Sequence, residues 1–170
     1  MYFHIIASGS KGNATVVVSN KTVLLVDMGI TLTRLEEGLA EINLTKKDIT
    51  GALFTHNHTD HISGIKFLSP KIMYALEGTL PSSLSNKVAI NQPFVIGDFT
   101  ITPIETSHDA LNPCAYLIKD KDIFFPIRIL YMALNAPLFP IPPCAASVTA
   151  ALMASAFHSP ASSFPFSVLK

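Results

Sequence analysis

The amino-acid sequence predicts an α/β fold in which sheets and helices form layers. Three observations predict it: short apolar runs separated by turn residues near the N-terminus, a helical period after them, and further apolar runs up to about residue 118. Mixed β and α segments in this order are typical of a layered α/β domain. The length of 170 residues corresponds to one domain or to a fragment of one.

Three strands are expected in close succession at the N-terminus, which favours an antiparallel meander. A turn rich in Gly and Ser at residues 8–13 separates the first two, because these residues tolerate unusual backbone dihedral angles. The expected strands are Tyr2–Ala7, Ala14–Ser19 and Thr22–Val26.

A helix is expected next, because apolar residues recur at helical spacing from Leu32 to Ile42 with charged residues between them. Either Thr31 or Thr33 could cap its N-terminus. The helix is followed by Gly51–Phe54, a short apolar run typical of a strand that is buried on both faces.

A second helix is expected through Ile62, Ile65 and Leu68, and it must end by Pro70. Four further strands are expected after it, and a Gly-Asp turn at residues 97 and 98 joins the middle two into a hairpin. These strands are Ile72–Ala75, Phe94–Ile96, Phe99–Ile104 and Cys114–Ile118.

The chain divides into two unlike parts. Residues 1–121 hold 10 of the 12 Lys and Arg and 11 of the 12 Asp and Glu, whereas residues 122–170 contain no Gly and many Pro, Ala, Ser and Phe. We expect a domain portion at 1–121 and an atypical apolar tail at 122–170 that is poorly ordered or loosely packed. A shifted reading frame near Phe125 is our hypothesis for this tail, and a divergent C-terminal segment is the alternative.

Several classes of protein are excluded by composition. A net charge of zero argues against non-specific nucleic-acid binding through a charged surface, and two cysteines cannot build a disulfide-rich scaffold. The N-terminus does not resemble a secretion signal. No membrane association is expected, because prolines divide the uncharged segment 129–157 into pieces shorter than a spanning helix. We therefore expect a cytoplasmic protein.

The segment from Thr55 to His61 carries the pattern His-x-His-x-Asp-His, with four metal-competent side chains within six residues. In extended chain, residues two apart project to one side, so His56 and His58 can share one ion. If Thr59 caps the next helix, Asp60 and His61 lie in its first turn and point elsewhere, toward a second ion. One short loop can therefore supply ligands to two adjacent sites.

This pattern after an apolar strand resembles the signature of the metallo-β-lactamase superfamily. The segments 8–13, 24–29 and 107–110 are similar to three more motifs of one branch, the WalJ-type and cyclic-phosphate phosphodiesterase-like group of bacterial hydrolases. The resemblance covers about residues 1–121. It implies the N-terminal half of a four-layer αββα sandwich, and half of a sandwich is expected to leave the inner face of its sheet uncovered.

The resemblance also implies a set of site residues and cofactors. Zn²⁺ or Mn²⁺ is implied at two sites. Asp27 is implied to support the loop of metal ligands without binding metal itself. Three further residues are implied either to form a turn near the site or to contact substrate. The first ion is assigned to His56, His58 and His108, the second to Asp60 and His61, and the turn to Ser8, Ser10 and Asn13.

Two elements of the superfamily pattern are absent from this sequence. A bridging aspartate should follow a later strand, whereas Asp122 precedes one, and the late histidine His158 lacks a recognisable context. We therefore expect one complete site and one incomplete site. His4 and His158 are expected to be unrelated to metal.

The function implied is a metal-dependent hydrolase of the phosphodiesterase or nuclease type. Its substrate would be a small cyclic phosphate or a nucleic-acid end, attacked by water that the metal activates and that Asp60 could orient. Two alternatives stay open: a thioester or lactone hydrolase of the same superfamily, and a truncated or inactive chain that only binds metal.

Overall fold

The computed structural model describes residues 1–120 and the backbone of residues 129–132. In this part of the chain the strands form two sheets, one of six strands and one of four. The six strands of the first sheet are β1 (Tyr2–Ala7), β2 (Ala14–Ser19), β3 (Thr22–Val26), β4 (Gly51–Phe54), β5 (Met73–Ala75) and β6 (Asn86–Lys87). The four strands of the second sheet are β7 (Phe94–Ile96), β8 (Phe99–Glu105), β9 (Cys114–Asp120) and β10 (Ile129–Met132).

The first sheet combines an antiparallel and a parallel part. Strands β1, β2 and β3 form the antiparallel meander that the sequence predicts. Strands β3 to β6 then run parallel, and Val26 near the end of β3 pairs with Leu53 near the end of β4. Because neighbouring parallel strands end at the same edge of a sheet, the residues after Val26 and after Phe54 lie side by side.

The first helix, α1, spans Leu32–Ala40, and its N-cap is Thr31, whose side chain accepts a hydrogen bond from the backbone N–H of Arg34 at 3.2 Å. One of the two caps that the sequence allows is therefore used. The helix connects β3 to the parallel strand β4, which is the usual role of a helix in a β-α-β crossover.

The second helix, α2, is much shorter than the sequence predicts. It spans only Thr59–Ile62 and begins after His58 rather than after Thr59, and a separate 3-10 turn follows at Ile65–Phe67. The reason lies at Gly64, whose N–H donates to the carbonyl of Met28 at 2.8 Å instead of continuing the helix. Apolar spacing alone could not reveal this contact with a distant loop. Two further 3-10 turns lie at Lys46–Asp48 and Pro70–Ile72.

Two buried clusters divide the described residues into three layers. Leu35 and Leu39 of α1 share one cluster with Val16 and Leu25 of the first sheet. The opposite face of that sheet, which includes Leu24, shares the second cluster with residues of β8 and β9 such as Phe99, Ile101 and Tyr116.

This α-β-β arrangement agrees with the predicted class and corrects one expectation. The inner face of the first sheet is not left uncovered, because the second sheet of the chain itself packs on it.

The later strands agree with the predicted ones apart from their ends. The hairpin of β7 and β8 is confirmed, β5 begins at Met73, and β8 and β9 extend to Glu105 and Asp120. The two-residue strand β6 was not predicted, since two polar residues carry no strand pattern. The predictions for the tail at 122–170 fall outside the described residues. Over the described part of the chain, no helix is both long enough and apolar enough to cross a membrane.

Two hydrogen bonds fasten the second sheet to the end of β4. The hydroxyl of Tyr116 donates to the carbonyl of Phe54 at 2.9 Å, and the N–H of Cys114 donates to the carbonyl of Thr55 at 2.9 Å. Because β9 begins at Cys114, this attachment brings the loop between β8 and β9, residues 106–113, to the loop that follows β4.

Candidate metal centre

The candidate site lies where four loops meet at the ends of β3 and β4. Backbone hydrogen bonds join these loops: Asn13 N–H donates to the Asp60 carbonyl at 2.7 Å, and Met28 N–H donates to the His61 carbonyl at 2.8 Å. Gly29 N–H donates to the Asn13 carbonyl at 2.9 Å. The turn at 8–13, the loop after β3 and the loop containing α2 therefore hold one another in place.

Gly29 is required by the closeness of this contact. A Cβ atom at residue 29 would lie 1.6 Å from the carbonyl oxygen of Asp60, a distance at which no side chain fits. Glycine at position 29 therefore allows the backbone of Asp60 and His61 to lie directly against the loop that follows β3.

Three of the predicted ligands converge on one point. The metal-binding atoms of His56, His58 and His108 all lie within 4.8 Å of one another. Their ring centroids are 4.7 Å apart for His56 and His58, 4.5 Å for His56 and His108, and 4.9 Å for His58 and His108. His56 is buried, His58 is intermediate and His108 is exposed, so the triad is closed on the protein side and open on the other.

The tautomer of His56 follows from its neighbours. The hydroxyl of Thr55 lies 2.9 Å from Asp27 Oδ2 and 2.9 Å from His56 Nδ1. An ionised carboxylate can only accept, so the single hydroxyl proton goes to Asp27, and the hydroxyl oxygen accepts from His56 Nδ1–H. The proton of His56 is therefore on Nδ1, and Nε2 carries a lone pair.

His56 Nε2 is buried and has no hydrogen-bond partner among the described residues. A buried polar atom without a partner costs about 1–3 kcal/mol, and such atoms are rare in native proteins. A metal ion bound by the lone pair would remove this cost. The orphaned nitrogen therefore fits a metal site, and three imidazoles with one open position are the donor set of a catalytic zinc site.

Burial keeps His56 in the neutral form that a metal ligand needs. Removal from water and, with smaller effects, the neighbouring His61, His108 and His58 together lower the pKa of His56 from its ordinary 6.5 to about 4, although the Asp60 carboxylate acts in the opposite direction. Near neutral pH the ring is therefore uncharged without any metal present.

The other two predicted ligands, Asp60 and His61, form a separate hydrogen-bonded cluster. His61 Nδ1 lies 2.8 Å from Asp27 Oδ2, and His61 Nε2 lies 3.0 Å from Asn13 Nδ2. Asn13 Nδ2 also lies 3.0 Å from Asp60 Oδ2. Both ring nitrogens of His61 therefore have protein partners. This pair alone does not fit a second ion in the way that the triad fits the first.

Asp27 connects the two clusters. It is fully buried, and its carboxylate accepts hydrogen bonds from the backbone N–H of Thr55 at 2.9 Å, from the Thr55 hydroxyl and from His61 Nδ1. Its backbone has a φ of 60° at the turn after β3. The predicted support of the metal loop thus has a structural counterpart: Asp27 orients His61 directly and His56 through Thr55.

The remaining predicted residues are distributed as follows. Ser8 and Ser10 are exposed in the turn at 8–13, whereas Asn13 is fully buried. His4 lies 3.3 Å from Glu41, away from the triad. Asp122 and His158 lie outside the described residues.

Sequence reasoning did not assign a role to Thr55, which orients His56. The sequence feature that could have indicated this role is the position of Thr55 directly between the apolar strand β4 and the first histidine of the pattern.

A cavity of about 400 Å³ lies beside the turn at 8–13. Its lining includes Ser8, Lys11, Thr31 and Arg34, so two cationic side chains border it. Arg34 is partly fixed there, because one of its guanidinium N–H groups donates to the carbonyl of Ile6 at 3.2 Å. The cavity shares the turn with Asn13 and therefore adjoins the loops that carry the histidines.

Comparison with known proteins agrees with the motifs. Residues 7–77 match the family model of the metallo-beta-lactamase superfamily. The chain is similar to the exodeoxyribonuclease WalJ of Streptococcus pneumoniae serotype 2 (strain D39), with 33% identity over 138 residues that cover 72% of this chain and 51% of that protein. It is also similar to the exodeoxyribonuclease YycJ of Bacillus anthracis, with 31% identity over 135 residues. The chain spans about half the length of these curated relatives.

Solved structures show the same fold. MEM-A1, a subclass B3 metallo-beta-lactamase from a soil metagenome library, superposes with a TM-score of 0.62 at 16% identity over 77% of this chain and 59% of that one. The metallo-beta-lactamase fold protein YhfI of Bacillus subtilis superposes with a TM-score of 0.56 at 19% identity, covering 71% of this chain and 59% of that one. The superfamily resemblance that the motifs indicate is confirmed by the family model and the curated relatives, and the solved structures agree with it in fold.

Proposed function

From the premise that residues 7–77 belong to a metallo-β-lactamase superfamily domain, we propose that this chain is a metal-dependent phosphodiester hydrolase that acts on nucleic-acid ends. The observation that carries the proposal is the triad of His56, His58 and His108 with the buried, unpartnered Nε2 of His56 at its centre.

The three histidines are the residues that would hold the ion, which we propose to be Zn²⁺ or Mn²⁺. Imidazole nitrogen suits several divalent transition metals, and the triad leaves one position open on its exposed side. When bound, such an ion supplies Lewis acidity, which polarises a phosphoryl oxygen and lowers the pKa of water to about 7.

Asp60 is the residue that we propose to act on the reacting water. Its side chain is partly exposed, and its carboxylate is fixed by the amide of Asn13 at 3.0 Å. A fixed carboxylate beside the triad can orient the attacking water by accepting one of its protons in a hydrogen bond. Asp27 takes no part in this contact and acts by holding His61 and Thr55.

The substrate is proposed from chemistry and from the relatives. The similar proteins are named exodeoxyribonucleases, and the cavity bordered by Lys11 and Arg34 offers positive charge to a phosphate backbone. Ser8 and Ser10 stand exposed on the same turn and can donate hydrogen bonds to phosphate oxygens. A small cyclic phosphate would use the same groups. We place the activity in the cytoplasm, where the buried Cys114 thiol stays reduced.

The test uses the full chain loaded with zinc or with manganese and end-labelled linear duplex DNA. We expect release of nucleotides from the ends, no cleavage of covalently closed circular DNA, and no release by the His56→Ala variant. Parallel reactions with bis-(p-nitrophenyl) phosphate and with a thioester separate phosphodiester from carbonyl hydrolysis. Turnover of the thioester alone would contradict the proposal and favour the other hydrolase class.

A second candidate function is metal binding without turnover. The observation that favours it is the cluster around His61, whose accepting nitrogen Nε2 already faces the Asn13 amide, while His56, His58 and His108 are the one complete donor set among the described residues. One tightly bound ion per chain, with no hydrolysis of any of the three substrates, would support this candidate instead.

A further inference from the structure

Asn13 lies at the centre of the cluster that the superfamily pattern assigns to a second ion. The residue is fully buried, although it belongs to a turn 47 residues away in sequence from Asp60. The backbone N–H of Gly9 donates to Asn13 Oδ1 at 3.0 Å. A backbone N–H can only donate, so this bond fixes the orientation of the amide and directs Nδ2 toward Asp60 and His61.

The amide nitrogen meets two lone pairs at once. Asn13 Nδ2 lies 3.0 Å from Asp60 Oδ2 and 3.0 Å from His61 Nε2, and it also lies 3.1 Å from the carbonyl of Gly9 and 3.3 Å from that of Asp60, so its two hydrogens are shared among these acceptors. His61 Nε2 must be the accepting nitrogen, because His61 Nδ1 donates its proton to the Asp27 carboxylate at 2.8 Å. The carboxylate and the imidazole therefore converge on the amide hydrogens as they would on a cation.

A second ion would need the single lone pair of His61 Nε2, which now accepts from the Asn13 amide, together with an oxygen of Asp60. Ligand atoms lie about 2.0–2.2 Å from a transition-metal ion, so an ion bound to both groups would occupy the space that the Asn13 amide now fills. The backbone of Asn13 is held on both sides, since its N–H donates to the Asp60 carbonyl at 2.7 Å and its carbonyl accepts from Gly29 N–H at 2.9 Å. Rotation of the amide away from this place would break its two hydrogen bonds to Gly9.

We propose that Asn13 determines the metal count of this chain: its carboxamide occupies the place of a second ion between Asp60 and His61 and limits the protein to the ion held by the histidine triad. The inference rests on the proposed function, because it presupposes that the triad binds an ion. It assigns to Asn13 a positioning role, in which it holds Asp60 and His61 by hydrogen bonds instead of coordination.

The test counts ions. The full chain is incubated with excess Zn²⁺, freed of unbound metal by gel filtration, and analysed for zinc per chain by mass spectrometry. In Asn13→Asp, one oxygen still accepts from Gly9 N–H and the other supplies a third ligand between Asp60 and His61. Asn43→Asp is the matched control, because it makes the same chemical change at an exposed position with a φ of 58°.

We expect one ion in the wild type and in Asn43→Asp, and two in Asn13→Asp. Adding Asp60→Asn to Asn13→Asp should return the count to one. If Asn13→Asp does not fold, Asn13→Ala decides the matter: removal of the amide alone should allow a second, weaker ion, which is counted by equilibrium dialysis against millimolar zinc instead of after gel filtration.

Two ions in the wild type, or one ion in every Asn13 variant that folds, would overturn the inference while leaving the triad intact. A wild type without any ion would instead contradict the proposed function itself.

Discussion

The two halves of the candidate site use similar side chains and differ in how their lone pairs are satisfied. His56 and His61 come from the same short segment and are neighbours, with ring centroids 3.9 Å apart. His56 Nε2 is buried without a partner in the described part of the protein, whereas both ring nitrogens of His61 have protein partners. His56 therefore has a ring nitrogen that can bind an ion, whereas both ring nitrogens of His61 are hydrogen-bonded within the protein.

The difference teaches that residue type and spacing are not enough to define a metal site. A buried lone pair without a partner raises the free energy of the folded chain by about 1–3 kcal/mol, and an ion can recover that energy. A lone pair that accepts from an amide offers no such gain. The hydrogen bonds around a ligand therefore decide which members of the pattern bind metal.

The largest effect should come from replacing His56 and His61, one at a time, by alanine. We expect His56→Ala to abolish zinc binding in isothermal titration calorimetry, because it removes the buried ligand of the triad. His61→Ala should keep one zinc ion but lower the free energy of unfolding, since Asp27 and Asn13 lose a partner each. The control is His4→Ala, which lies beside Glu41 and should bind zinc like the wild type. Equal loss of zinc in both site variants would show that the two halves form one site.

The second largest effect should come from replacing Asp27, whose carboxylate accepts hydrogen bonds in both halves of the site, from Thr55 and from His61. In Asp27→Ala, the backbone N–H and hydroxyl of Thr55 and the Nδ1–H of His61 lose their acceptor. The free energy of unfolding should fall by about 1–3 kcal/mol for each buried donor that finds no other partner. Zinc affinity should fall roughly 10- to 100-fold, as for other residues that orient metal ligands.

The matched control for Asp27→Ala is Asp48→Ala. Asp48 is exposed and accepts only from Thr45 in the hydrogen bonds of the described chain. Its removal should lower stability only slightly and leave zinc affinity unchanged, because its hydrogen bonds are exposed to solvent. If both variants bind zinc equally well, the Asp27 carboxylate does not orient the ligands.

These residues also show which parts of the fold and of the candidate site could be predicted from the sequence. The N-terminal strands, α1 and the pairing of His56 with His58 were predictable, because strand and helix periods and the His-x-His pattern are local signals. His108 was assigned to the same ion only through the family resemblance. The roles of Thr55 and Asn13 in the two halves depend on hydrogen bonds that only the folded chain brings together. The end of α2 near Gly64 has the same cause, since a contact with Met28 across the site competes with the helix.

A smaller effect is expected from Thr55→Val, which keeps the shape of the side chain and removes its hydroxyl. His56 Nδ1–H then loses its acceptor, so the ring is less firmly oriented. We expect zinc affinity to fall roughly 10-fold, near the lower limit for an orienting residue, and unfolding to need about 1–3 kcal/mol less. Thr55→Ser keeps the hydroxyl and should restore most of the affinity. Equal affinities for the valine and serine variants would contradict the assigned role.

The last effect is absent at neutral pH and concerns the attachment of the second sheet, whose loop between β8 and β9 carries His108. Burial raises the pKa of the Cys114 thiol from its ordinary 9.0 to about 12. As pH rises above 9, the unfolded chain releases this proton first, so stability is full below pH 9 and is lost toward pH 12. Metal-free wild type should therefore lose stability in denaturant titrations from about pH 9 to about pH 12, and Cys114→Ala should lose less.

Part of that alkaline loss should remain in Cys114→Ala. Burial also raises the pKa of Tyr116, whose hydroxyl donates to the Phe54 carbonyl, so its ionisation adds to the slope above pH 10. Identical pH slopes for wild type and Cys114→Ala would mean that the thiol is not buried as the structure has it.

Anomalous diffraction at the zinc absorption edge, recorded from zinc-loaded crystals of the full chain, tests the metal assignment most directly. The account predicts a strong peak about 2.0–2.1 Å from one nitrogen each of His56, His58 and His108. The absence of a peak at the three histidines, or a sole peak bound to other side chains, would contradict it.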